Sequence, residues 1–192
     1  MDYDMLAEPL STVYTTSLTA STAVDMSGEE LFRFLGTRRK VAAEGAREHL
    51  ADDGTTYYAY GEEEYVFVRN AEAAAAFSPG ESIIVHGTTA YGGYNCIRST
   101  GIINRQRVRG VVVNHGDSTY TIPAGSAGWI KCRGVVEQDD DGTVTIGQPV
   151  STTGAGNPER VADTLGTPEM AIGLALNTPA GAGNPAFVLL DL

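Results

Sequence analysis

Residues 105–137, RQRVRGVVVNHGDSTYTIPAGSAGWIKCRGVVE, constrain the fold more than any other stretch of the chain. Val111, Val112 and Val113 form one β-branched run, and residues 129–136, WIKCRGVV, form a second strand-like segment. Such side chains pack well on a pleated surface and lose rotamer freedom in a helix. Between the runs, Asn114, Gly116, Asp117, Pro123, Gly125 and Gly128 supply turns and leave room for one short strand at 119–122. The stretch reads as a β-meander at the heart of a β-rich domain.

The same punctuation continues outward. Short apolar segments at 82–86 and 94–98 flank a glycine-rich loop, GTTAYGG, and further strands are expected at 143–150, 170–177 and 185–190. Asp139-Asp140-Asp141-Gly142 reads as a tight turn into the first of these. GAGNP occurs at 154–158 and at 181–185, and both copies read as loops with Asn-Pro turns. Residues 55–68, TTYYAYGEEEYVFV, read as a β-hairpin with Gly61 first in a two-residue loop. With 23 glycines and eight prolines in 192 residues, many short strands are favoured over long helices. The expectation for 55–192 is a mainly β domain, a β-barrel or β-sandwich of short antiparallel strands.

Upstream, Ser27 and Glu30 fit a capping box, and Leu31, Phe32, Phe34 and Leu35 give a short helix its apolar side. Gly36 is placed to end that helix in a left-handed conformation. A second helix, weakened by Gly45, is expected over 38–50, so 27–54 reads as a helical segment. Residues 1–26 read as an extended N-terminal arm, because Leu10, Val13, Tyr14 and Leu18 hold no period of 3.6 or 2. A segment with no apolar face of its own orders only on another surface. The arm is expected to lie against a neighbouring subunit, the alternative being its own domain.

Thirteen basic against 24 acidic residues give a formal charge of −11. Nucleic-acid affinity rests on basic side chains displacing counterions from phosphate, so the balance argues against DNA or RNA as a partner. Lys40 and Lys131 are the only lysines, and an acidic, Lys-poor composition suits a salt-rich habitat. The first ten residues lack the apolar core of a signal peptide, and no apolar run approaches the roughly 20 residues of a membrane span. A soluble chain made in the cytoplasm, with no membrane partner, is expected. Cys96 and Cys132 read as two buried free thiols, with a disulfide as the other reading.

Candidate chemistry is sparse. His49, His86 and His115 lie far apart, and none belongs to a closely spaced zinc pair. Asp139, Asp140 and Asp141 lack the spaced oxygens and distal Glu of a calcium loop and read as a solvated turn. The sequence carries no Gly-x-Ser-x-Gly, Walker or His-Glu-x-x-His motif. Glu62, Glu63 and Glu64 read as a hydrated hairpin tip. No catalytic residue, cofactor or metal is nominated, and the chain reads as a non-enzyme.

The cations are more informative. Arg105, Arg107 and Arg109 alternate, which on a strand puts three guanidiniums on one face until Gly110 permits a bend or bulge. They either pair with carboxylates of their own chain or form a docking stripe for an acidic protein surface, with bidentate bonds setting register. The same parity groups Trp129, Lys131 and Arg133 opposite Ile130 and Cys132. Trp129 is then either covered by a loop or a candidate interface anchor.

Taken in order, LFRFLGTRRK, YVFVRNAEAAAAFSPGE, RVRGVVVN, IPAGSAGWIKCRGVV, GTVTIGQPVSTT and AIGLALNTPAGAGNPAFVLLDL resemble a known group of proteins. These are the small β-rich decoration, cement and turret proteins on the heads of tailed double-stranded DNA viruses. The likeness covers about residues 31–192, and the composition favours a haloarchaeal host. The resemblance implies a β-barrel or β-sandwich body, self-association as trimers or pentamers, and docking on the major capsid protein at the outer surface of the virion. It implies no catalytic residues. A turret or tail-tube subunit is the nearest alternative. A carbohydrate-binding module stacking sugars on the Tyr57–Tyr65 hairpin is an alternative of another class.

Overall fold

The computed structural model describes residues 9–15, 24–25, 33–41, 47–50, 56–59, 62–86, 93–101, 103, 105–115, 119–153, 157–164 and 168–192. The fold is mainly β. In chain order the strands begin with β1 (Tyr14–Thr15), β2 (Val24–Asp25), β3 (Arg38–Val41), β4 (Arg47–Leu50) and β5 (Thr56–Ala59). They continue with β6 (Glu63–Asn70), β7 (Ser82–Val85), β8 (Asn95–Arg98), β9 (Val108–Val111) and the long β10 (Ala127–Asp140). The last are β11 (Pro149–Thr152), β12 (Arg160–Asp163), β13 (Gly173–Ala175) and β14 (Pro185–Asp191).

Strand pairing closes on itself twice, and β10 belongs to both circuits. In the first, β10 pairs with β6, β6 with β8, β8 with β7, β7 with β9, and β9 returns to β10. In the second, β10 pairs with β14, β14 with β13, β13 with β11, β11 with β12, and β12 returns to β10. The closing pairs β6–β8 and β10–β12 are parallel, whereas the other links are antiparallel. A strand serving two circuits must bury both faces over much of its length, and only three of the 14 residues of β10 are not buried: Glu137 and Asp139 are partly buried and Arg133 is exposed.

Each circuit has its own apolar filling. Val66, Val68, Phe77, Ile83, Cys96, Ile122 and Ile130 pack in the first, and Val136, Val150, Val161, Ile172, Val188 and Leu190 in the second, where Ile84, Val108 and Val111 of β7 and β9 join them. A third cluster, Tyr14, Tyr65, Phe67, Ala127 and Trp129, lies on the β6–β10 surface under the N-terminal segment. Burying a large apolar side chain contributes roughly 1.5–3 kcal/mol, so these clusters dominate stability.

Several expectations are met. The 82–86, 94–98, 129–136 and 185–190 strands appear as β7, β8, β10 and β14. The Asp turn is shorter and less solvated than expected: Asp139 and Asp140 end β10, Asp140 is buried, and only Asp141 and Gly142, at φ 105, turn the chain. Gly36 stands at φ 85 after the helical Arg33 and Phe34, the left-handed stop read from sequence, while the capping box and the rest of that helix, residues 27–32, lie outside the described residues. Cys96 and Cys132 are free and buried.

Others are corrected. The helix expected over 38–50 is replaced by β3 and β4, because β6 needs an edge partner and β3 supplies one from Arg38↔Val66 to Val41↔Glu63. The 55–68 hairpin does not form: β5 pairs with β4, and β6 enters the large sheet. Tyr65 and Phe67 on one face with Val66 and Val68 on the other make β6 apolar on both sides, the mark of a covered central strand. Residues 143–148 are not a strand. The Asp140 Oδ1 accepts from the backbone N–H of Thr143 at 3.1 Å and of Val144 at 3.0 Å, holding those groups away from any ladder. The strand at 119–122 shrinks to a single bridge, Phe77↔Ile122.

The arm is corrected too, where it is described. Tyr14 pairs with Ala127 and its ring meets Phe67 edge-on at 5.3 Å, so this segment folds onto its own domain. Leu10 and Val13 pack beside buried clusters of the same chain. Leu18 lies outside the described residues.

Candidate functional site

The arginines do not form a stripe. Arg105–Arg107 make a single 3-10 turn, and the strand begins only at Val108. The register of β7 on β9 then slips: Ile83 faces Gly110 and Ile84 faces Val108, which leaves Arg109 as the extra residue of a bulge. Gly110 allows this because β9 crosses close to β10. A Cβ at Gly110 would stand 2.4 Å from the Lys131 carbonyl oxygen.

Turn and bulge together aim cations into a cleft of about 320 Å³ lined by Arg38, Arg105, Gln106, Arg109 and Tyr94 over Val66, Val108 and Leu192. Arg109 donates through Nε to the Gly93 carbonyl at 2.8 Å and through Nη1 to the Gln106 carbonyl at 2.8 Å. Its guanidinium lies 5.7 Å from the centre of the Tyr94 ring, within cation–π range. Tyr94 is seated by Gly36, where a Cβ would come 2.4 Å from the ring.

The charges are spent unequally. Arg38 binds Glu64 at 2.7 Å, and Arg105 reaches the carbonyl and carboxylate of Asp191. Among the described residues Arg107 donates to the Val85 carbonyl at 3.4 Å. Among the described residues neither Arg107 nor Arg109 has a carboxylate within ion-pair distance. The internal-pairing reading thus holds for Arg105, and two guanidiniums remain available to an outside anion. An apolar floor with a cationic, aromatic rim suits an acidic side chain carried on a peptide.

The second group read from sequence is split by the structure. Trp129 and Lys131 are fully buried and only Arg133 reaches solvent. Trp129 and Lys131 therefore present no side chain to a partner. A bulge between Lys131 and Arg133 separates them from the exposed arginine. Trp129 packs against Phe67, ring centres 5.2 Å apart, beneath Tyr14. Lys131 donates to Glu63 at 2.9 Å and to the Val135 carbonyl at 3.0 Å, while the Tyr65 hydroxyl donates to the other Glu63 oxygen at 2.9 Å.

The expected hydrated tip is also corrected, since Glu63 and Glu64 are buried partners of Lys131 and Arg38. With Tyr65 3% exposed, the sugar platform loses one of its rings. Sequence reasoning missed the role of Tyr94. Its position beside Gly93, in a glycine-rich loop, was the available signal.

Two further features bear on chemistry. Burial pushes the Cys96 thiol up to about 12 and the Cys132 thiol to about 11, so neither is a ready nucleophile. Burial also pulls His115 down to about 4, against a smaller opposing effect of the Trp129 carbonyl, and its ring sits edge-on to Tyr120 at 4.7 Å. Among the described residues no three His, Cys, Asp or Glu side chains gather as a metal site. No described helix is long and apolar enough to cross a membrane.

No protein-family model matches the chain, and no curated protein matches its sequence. Among solved structures, the head fiber gp8.5 N base of bacteriophage phi29 is similar over 66% of this chain and 92% of that one, at 10% identity and a TM-score of 0.43. A likeness of that size carries no argument about function.

Proposed function

We propose that this chain is a structural protein of a tailed-virus particle, docking on an acidic surface of the outer shell and associating with copies of itself. Its work is binding, without catalysis. The observation that carries the docking is the cleft: on a chain of net charge −11, Arg38, Arg105 and Arg109 line one hollow beside Tyr94. Bidentate arginine–carboxylate bonds give register as well as affinity. Many shallow contacts repeated around a symmetric shell add through avidity. The viral assignment itself rests on the sequence resemblance, and the cleft supplies a chemistry for it.

The test is quantitative mass spectrometry of released particles, made with the natural sequence and with Arg109→Gln. The natural chain should travel with particles in fixed proportion to the major shell protein, and the variant should be depleted while staying folded. That proportion separates whole-shell decoration from a vertex turret or a tail tube. Absence of the natural chain from particles would sink the viral reading. Undiminished loading of a folded variant would sink the cleft as the docking site.

A further inference from the structure

The second circuit carries an outer apolar patch, Leu174, Leu176 and Leu189, that no described segment covers, while Val135 at its β10 end is buried. Cα partners across antiparallel strands share a face, and the registers place Pro149, Leu174, Leu189 and Val135 in one row across β11, β13, β14 and β10. Leu174 and Leu189 are 41% and 40% exposed. One step to one side, Arg133 pairs with Asp191; one step to the other, Glu137 pairs with Phe187. Leu176, 40% exposed, extends that second side, its N–H bonded to the Phe187 carbonyl at 2.8 Å. On the first side, opposite Leu176 across the row, a hollow of about 220 Å³ opens between Ala171–Leu174, Arg105 and Asp191.

We propose that a second copy of this chain packs on this face about a two-fold axis running along the Leu174–Leu189 row. The arrangement of unlike features on the two sides carries the inference. A two-fold along the row places each row residue over its own counterpart and exchanges the two sides. Arg133 of one copy then meets Glu137 of the other, and Leu176 of each copy enters the hollow of the other. Arg133 makes no ion pair within 4 Å among the described residues of its own chain, Glu62 attracting it only from farther off. An isologous contact requires this self-complementarity, because one patch must serve as both halves. A patch recognising an unrelated protein has no reason to balance charge and shape about its own midline.

The proposal deepens the self-association part of the function above and leaves the cleft aside, so the two fail separately. Its test is sedimentation of the full chain over a range of concentrations. The natural chain should show a reversible monomer–dimer equilibrium. Leu174→Asp should abolish it with an unchanged circular dichroism spectrum. Arg133→Glu and Glu137→Arg should each weaken it roughly tenfold, and the double exchange should restore it.

As a measurement independent of folding energetics, Leu189→Cys should be joined copy to copy by a short bismaleimide, and Ile146→Cys, away from the row, should not. Buried Cys96 and Cys132 do not compete. A chain that stays monomeric to its solubility limit overturns the proposal. So does an oligomer that survives Leu174→Asp, or an exchange of charges that fails to restore association.

Discussion

The two circuits share β10 and are built from equal numbers of strands, yet they treat their outer apolar surfaces in opposite ways. On the first, Tyr14 and Leu10 lie over Phe67 and Trp129, so that the only tryptophan is fully buried. On the second, Leu174, Leu176 and Leu189 stand 40–41% exposed on the corresponding outer side. A closed ring of strands fills its inside by alternation, and alternation leaves the outside to be polar, covered or used. The arm covers one ring. Among the described residues nothing covers Leu174, Leu176 and Leu189 of the other, so its outer face stays apolar and exposed there.

The sharpest way to break the comparison is to remove the cover. Deleting residues 1–24, or making Tyr14→Ala, should expose the Trp129 cluster and lower stability by roughly 3–5 kcal/mol, the usual cost of losing a buried aromatic. Because Trp129 is the sole tryptophan, the uncovering should also red-shift the intrinsic fluorescence. A truncated chain with unchanged melting and emission would show that the arm is dispensable to the first ring.

Beneath the same cover, Lys131→Met should cost a comparable 3–5 kcal/mol by leaving Glu63 buried without its cation. The paired change with Glu63→Gln should recover much of it, read by denaturant midpoint at constant slope. Recovery is expected because the pair's worth is mainly the avoidance of an unmatched charge. If the single change were neutral, the carboxyl would have to be satisfied by its remaining partners, the Tyr65 hydroxyl among them.

His115 gives this side a pH dependence of its own. Its folded pKa of about 4 lies below the unfolded value near 6.5, so the unfolded chain binds more protons between them. The stabilising contribution is therefore complete above about pH 6.5 and lost as pH falls toward 4, by about 3 kcal/mol in total. Carboxylates titrate in the same window, so the comparison is with His115→Phe. The natural chain should lose more stability than the variant between pH 6.5 and 4. Parallel curves would show that the ring is not held neutral.

The asymmetry between the rings was only partly visible in the sequence. β10 and β14 were legible because β-branched runs and flanking turns coincide there, and the Asp140 turn because aspartate and glycine are its chemistry. Closure was not legible: β6–β8 and β10–β12 join residues remote in sequence and carry no local signature. β6 was misread because Gly61 offered a short-range turn, while the strand's two apolar faces called for neighbours on both sides. The cleft was half legible. The arginines were found, but alternation alone could not foresee the 3-10 turn or the slip that makes Arg109 the bulge residue. Lys131 read as one of an interface group and Glu63, 68 positions away, as part of a hydrated tip, until the fold joined them.

The smallest effect on folding is expected on the bare side, and that contrast is its value. Leu189→Asn should change fold stability by within about 1 kcal/mol, since the side chain is 40% exposed and its replacement leaves no closed cavity. Val188→Ala, one residue away on the inward face, should cost about 2 kcal/mol, because Val188 is fully buried with Leu190 and Val136. Measured on dilute monomer, the pair calibrates how far the second ring depends on its outer row. A large loss from Leu189→Asn alone would mean that the row is already packed within one copy, and the two rings would then be alike in covering their outer faces. A small loss in dilute monomer, growing as the natural chain is concentrated and the variant is not stabilised with it, is the behaviour of a face completed by association, because anything that binds only the folded state adds to its stability by mass action.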